Sequence, residues 1–97
     1  TKTIIKEIFS LTVQNGAKLI IMPLPAEHDV TSTSNHVNSF YSKLSEELNF
    51  FYIDLQSKID KLDNEKIENF FISFDGHYSP NGHQIIAEIF KNSVVWD

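Results

Sequence analysis

The sequence predicts an α/β domain built on a parallel sheet, and three observations predict it. Apolar residues recur with helical spacing over Thr3–Gln14, Ser34–Leu48 and Pro80–Lys91. Two short, almost wholly apolar runs, Lys18–Met22 and Phe50–Asp54, lie between those segments. The resulting order of helix, strand, helix, strand, helix is the alternation that joins parallel strands through crossover helices.

The first helix carries Ile4, Ile5, Ile8, Phe9, Leu11 and Val13 on one face. Asn15-Gly16 stops it, because both residue types tolerate the left-handed backbone that ends helices. Lys18–Met22 then reads as a strand buried on both faces, ended by Pro23. Pro23–Thr33 is polar, holds two prolines and reads as a loop at the carboxyl edge of that strand. This is the edge at which open α/β sheets bind ligands, so Glu27, His28 and Asp29 fit either a substrate site or a plain surface loop. The second helix groups Val37, Phe40, Tyr41, Leu44 and Leu48. Phe50–Asp54, rich in aromatic and β-branched residues, is the second strand. Ser57–Asn69 is charged, with loosely spaced Ile59, Leu62 and Ile67, and reads as a short helix or an irregular connector. The last helix begins at Pro80 and buries Ile85, Ile86, Ile89 and Phe90.

Composition narrows the function. The chain has 97 residues, enough for one small domain, with 41% hydrophobic residues to build a core. A net charge of −5 and the absence of any Lys/Arg run argue against nucleic acid and anionic membranes as partners. No apolar segment reaches the length of a transmembrane helix. With no cysteine there are no disulfides, thiolate metal sites or cysteine nucleophiles. Two strands with apolar faces on both sides cannot be covered by three helices in a common closed fold. The expectation is therefore the C-terminal portion of a larger α/β domain, with Thr1, inside a helical pattern, as a cut or processed end.

The chemistry concentrates in "FDGHYSPNGHQIIAEIF", Phe74–Phe90. In an extended segment residues i and i+2 project to one side, so Asp75 and His77 can meet, with Gly76 free to bend between them. A carboxylate on one imidazole nitrogen fixes the tautomer and leaves the other nitrogen as a base. Ser79 is placed to cap the last helix and Pro80 to open it, and the positive end of that helix favours a neutral imidazole nearby. Three readings fit these residues. The first is half of a hydrolytic site, and the second is an ordinary loop that caps a helix. The third is a metal site formed by Asp75, His77, His83 and His28. His83 lacks the i, i+4 partner of helical zinc motifs and needs no ligand role, and His36 on a polar helix start reads as solvated.

The stretch "DGHYSPNGHQIIAEIF" resembles the last block of the SGNH (GDSL-type) hydrolases, in which an Asp and a His stand just before the C-terminal helix. Gly82-His83 and Ile86-Ala87-Glu88 match the residues that follow in that block. "GAKLIIMPLP" is similar to the family's penultimate strand with its exit loop, and "FFYIDLQ" to its final strand. The resemblance implies a flavodoxin-like three-layer α/β/α sandwich, of which this chain supplies about two strands and three helices. It implies a serine esterase acting on acyl esters, often of lipids or carbohydrates, without a cofactor or metal. His77 matches the base and Asp75 the orienting acid. The family's commoner form has two residues between acid and histidine, whereas Gly76 alone separates them here; Asp54, at the end of the second strand, is the substitute acid. Many relatives are secreted or periplasmic.

The nucleophile is expected elsewhere. There is no Gly-Asp-Ser block, no oxyanion-glycine block, no Gly-x-Asn-Asp block and no Gly-x-Ser-x-Gly elbow in these residues. Asn15-Gly16 and Asn81-Gly82 are the nearest strings, and they read as a helix stop and a cap. The expected partner is an N-terminal portion of the same protein, of similar or somewhat larger size, and the chain alone is expected to be inactive. The alternative is a non-enzymatic α/β interaction module that completes or pairs with a partner's sheet.

Overall fold

A computed structural model describes residues 1–30 and 36–94, with His28 and His36 described by their backbone only. The chain is mixed α/β and mostly helical, with a two-stranded parallel sheet. It divides into two compact units, one built from α1, β1, α3 and β2, the other from the remaining elements.

In the first unit, α1 (Lys2–Gln14) ends as the sequence predicts. Gly16 adopts φ +70°, its N–H donates to Val13 O at 3.2 Å, and Ala17 N donates to Thr12 O at 2.9 Å. That pair of bonds is the Schellman ending, which satisfies carbonyls the helix leaves open. The strands β1 (Ile20–Ile21) and β2 (Phe51–Tyr52) pair in parallel, Ile20 opposite Phe51 and Ile21 opposite Tyr52. Phe51 N donates to Leu19 O and Ile53 N to Ile21 O, both at 3.0 Å. Helix α3 (His36–Leu48) connects them, ending with Asn49 at φ +66°. Ser34 and Asn35, the expected start of this helix, lie outside the described residues.

One face of the strand pair is covered. Ile5, Leu44 and Phe50 are buried, and Phe9, Leu19, Ile21, Tyr41, Leu48 and Tyr52 pack against them. Tyr52 O–H donates to Asn38 Oδ1 at 2.5 Å, so the buried amide on α3 has its partner on the strand. On the opposite face burial is uneven, which corrects the expectation of strands buried throughout on both sides: alternation places Ile20, Phe51 and Ile53 there, Ile20 half-buried, Ile53 buried and Phe51 43% exposed. The helices show the same partial coverage. Only Ile5 and Phe9 of the α1 stripe are packed, whereas Ile4, Ile8, Leu11 and Val13 are exposed, as are Val37 and Phe40 of α3.

The second unit comprises α2 (Glu27–Val30), α4 (Leu55–Asp60), α5 (Asn64–Glu68), a hairpin through 71–78 and α6 (Pro80–Ser93). The segment expected to be one short helix or a connector is thus two helices, and the loop after β1 contains the single turn α2. Asp54 caps α4, with Oδ1 accepting from Ser57 N at 3.1 Å, and Asp63 caps α5 through Lys66 N at 3.2 Å. Helix α4 packs against α2 and α6. Its buried Gln56 donates through Nε2 to Asp29 O at 2.6 Å. Leu55, Ile59 and Phe70 are fully buried, each worth about 2 kcal/mol of transfer free energy. Ile86 is the buried residue of the apolar face of α6.

Candidate functional site

Residues 71–78 form a short antiparallel hairpin. Phe71 and Tyr78 bridge, Ile72 N donates to His77 O at 2.8 Å, and Ser79 N donates to Phe70 O at 3.0 Å. A tight turn closes it, Asp75 N donating to Ile72 O at 3.2 Å. The third residue of that turn, Phe74, sits at φ +62°, and Gly76 follows at φ +83°. Positive φ at the third position is the type II requirement that glycine normally meets; Phe74 meets it with a fully exposed side chain.

This turn brings Asp75 and His77 together. Asp75 Oδ1 lies 2.7 Å from His77 Nδ1. The backbone differs from the expected extended one: Asp75 is a turn residue, flanked by left-handed positions at Phe74 and Gly76. With the proton on Nδ1, where a carboxylate can accept it, Nε2 keeps its lone pair as the basic position. The pair is open to water, His77 being 82% and Asp75 48% exposed by side chain. An ion pair so exposed contributes little to stability.

The substitute acid is otherwise engaged, since both oxygens of Asp54 accept from Ser57, Oδ2 from Ser57 Oγ at 2.7 Å. His83 meets the Tyr78 ring edge-on, with centroids 5.7 Å apart. Among the described residues no three His, Asp or Glu side chains gather as a metal site, and the side chain of His28 lies outside them. The loop after β1 does reach the hairpin: Glu27 Oε2 is 4.0 Å from the position a Cβ on Gly76 would take. Beside it a cleft of about 210 Å³ is lined by Glu27, Val30, Ile67, Glu68, Phe71 and Ser73.

The start of α6 holds the hairpin in register. Ser79 Oγ accepts from Gly82 N at 2.9 Å and donates to Asn69 O at 2.5 Å, with Phe70 O 3.1 Å away. Gly82 is there for space, because a Cβ would stand 2.1 Å from Phe70 O. A glycine inside a helical pattern is a sequence signal for such close packing. Tyr78 is the other residue that sequence reasoning missed. Its O–H donates to Pro25 O, 53 residues away, and no local pattern announces that contact.

Comparison with protein-family models, curated proteins and solved structures yields no match for this chain. No described helix is long and apolar enough to cross a membrane.

Proposed function

We propose that this chain is the histidine- and aspartate-bearing portion of an SGNH-type serine ester hydrolase, part of a flavodoxin-like three-layer sandwich. The observation that carries the reading is the 2.7 Å contact between Asp75 Oδ1 and His77 Nδ1, on a hairpin that leads directly into α6. In this reading Asp75 holds the His77 tautomer, and Nε2 accepts the proton of a serine supplied by an N-terminal portion of the same protein. The serine oxygen attacks the ester carbonyl, and His77 then returns the proton to the departing alcohol. Water repeats the sequence to release the acid. The cleft lined by Glu27 and Phe71 is the candidate, in this reading, for the acyl or alcohol group of a lipid or carbohydrate ester.

Fluorophosphonate labelling tests the proposal by comparing the 97-residue chain with a form extended upstream. Labelling of the extended form alone is expected, with turnover reduced by several powers of ten in His77→Ala. Ester turnover by the 97-residue chain itself, abolished by His77→Ala, would overturn the assignment of the nucleophile to another segment. Absence of labelling in both forms would remove the hydrolase reading.

A second reading is favoured by a separate observation. Phe51 on β2 and Ile4, Ile8, Leu11 and Val13 on α1 expose apolar surface in one unit. A non-enzymatic module whose sheet is completed by a partner would cover it. Size-exclusion chromatography separates the readings, because a monomer at all concentrations counts against the module.

A further inference from the structure

The hairpin that carries the dyad has little to hold it by itself. An isolated two-stranded hairpin is marginal in water. This one also has a turn containing a non-glycine residue in the left-handed region, Phe74 at φ +62°. The His77 ring is mostly exposed, so packing does not orient it; its backbone carbonyl, bonded to Ile72 N, and the Asp75 carboxylate do. The strand on which His77 sits must be held by further contacts.

Tyr78, the next residue, is held both by its ring and by its hydroxyl. Its ring stacks on Phe71 with centroids 5.0 Å apart and an interplanar angle of 25°, and meets Phe70 edge-on at 5.7 Å. Its hydroxyl reaches the carbonyl of buried Pro25 in the segment after β1. Burial, with the negative charge of Asp29 added, raises the phenol pKa, so at neutral pH it is the donating form.

We infer that Tyr78 is a positioning residue for the His77–Asp75 pair, its O–H bond to Pro25 and its stack on Phe71 fixing the backbone from which His77 meets Asp75. The inference rests on the hydrolase reading for its purpose but not for its test. A hydroxyl removed from Tyr78 frees the strand to shift, and a contact of 2.7 Å between two exposed side chains does not survive a shift of an ångström.

The test is the tautomer of His77 in the 97-residue chain, read from imidazole ¹⁵N shifts of the neutral ring by NMR. Wild type, Tyr78→Phe and Asp75→Ala are compared. Wild type is expected to favour the Nδ1–H form, and Asp75→Ala to abolish that bias. Tyr78→Phe is expected to move His77 at least halfway to the Asp75→Ala position, with His83 unmoved because the ring it touches remains. A folded Tyr78→Phe chain whose His77 keeps the wild-type tautomer, while Asp75→Ala changes it, overturns the inference. If Asp75→Ala changes nothing, there is no pair to position and the inference falls as well. Should Tyr78→Phe lose its dispersed amide spectrum, Phe71→Leu removes the stacking partner instead; an unchanged His77 in that variant is equally decisive. Fluorophosphonate labelling is independent of these spectra, so failure here leaves the hydrolase proposal to its own test.

Discussion

Replacing Gly82 by alanine sets two physical arguments against each other with opposite signs. Helix propensity alone says that alanine inside α6 stabilises by up to about 1 kcal/mol. The packing says otherwise. The new Cβ would lie 2.1 Å from Phe70 O and 3.1 Å from Phe70 C, so a separation of roughly 1 Å more must be found. Phe70 cannot yield easily, because its side chain is fully buried and its carbonyl accepts from Ser79 N at 3.0 Å. Helix α6 cannot yield easily either, since Ile86 is buried and the helix packs on α4. Forcing an extra carbon into such a contact costs about 1–3 kcal/mol, and weakening the bond to Ser79 about 1 kcal/mol more. Subtracting the propensity gain leaves a net loss of about 1–3 kcal/mol. In urea unfolding followed by circular dichroism, with a slope near 1 kcal/mol/M for a chain of this size, the midpoint should fall by about 1–3 M. An unchanged or higher midpoint for Gly82→Ala would refute the packing argument and show that the Phe70 carbonyl is free to move.

Two further perturbations probe the same hairpin. Phe74→Gly should stabilise the chain by roughly 0.5 kcal/mol, as relief of the left-handed backbone, about 1–2 kcal/mol, outweighs the entropy lost on ordering a glycine, about 0.5–1 kcal/mol. A lower urea midpoint would mean that the exposed ring contributes to the fold. The raised phenol pKa of Tyr78 makes stability depend on alkaline pH. Below its ordinary value near 10 both states hold the proton, and the stability is flat. Above it the unfolded phenol ionises first, the native state binds more protons, and stability falls until the raised native pKa is passed. Tyr78→Phe should flatten that decline in urea midpoints measured from pH 8 upward; an identical decline in the variant would assign it to other groups.

Helix existence was legible wherever a long periodic stripe met a clear terminator. The α1 stop at Asn15-Gly16 and the Ser79-Pro80 opening of α6 are local signals, and the structure has both. Burial was less legible. Periodicity marks an apolar face but not what covers it, and so Ile4, Ile8 and Leu11 read like Ile5 in the sequence although only Ile5 is buried. The strand runs over-predicted length for a related reason: Leu19–Met22 is apolar throughout, yet pairing extends only as far as its one neighbour. At the site, the proximity of Asp75 and His77 followed from their spacing, while its cause did not. Extended geometry was the simpler assumption, and a left-handed phenylalanine is not a conformation that composition predicts. The Tyr78–Pro25 bond, with 53 residues between its ends, is invisible to any local rule.

The exposure of the dyad bears on how the proposed hydrolase would work. Attraction between Asp75 and an imidazolium at His77 is divided by the local dielectric constant, and both groups now face water. Lowering that constant from about 80 to an effective 20 would multiply the attraction about fourfold at unchanged distance. Catalysis gains from the stronger interaction only when the positive charge on His77 develops in the transition state. A surface laid over the hairpin, whether the nucleophile-bearing portion or a bound ester, would supply that change without moving either side chain. The exposed ring of Phe74 at the turn, one residue from Asp75, offers such a surface an apolar contact. Geometry would then be set by Tyr78, Ser79 and Gly82 beneath the hairpin, and electrostatic strength by whatever closes over it.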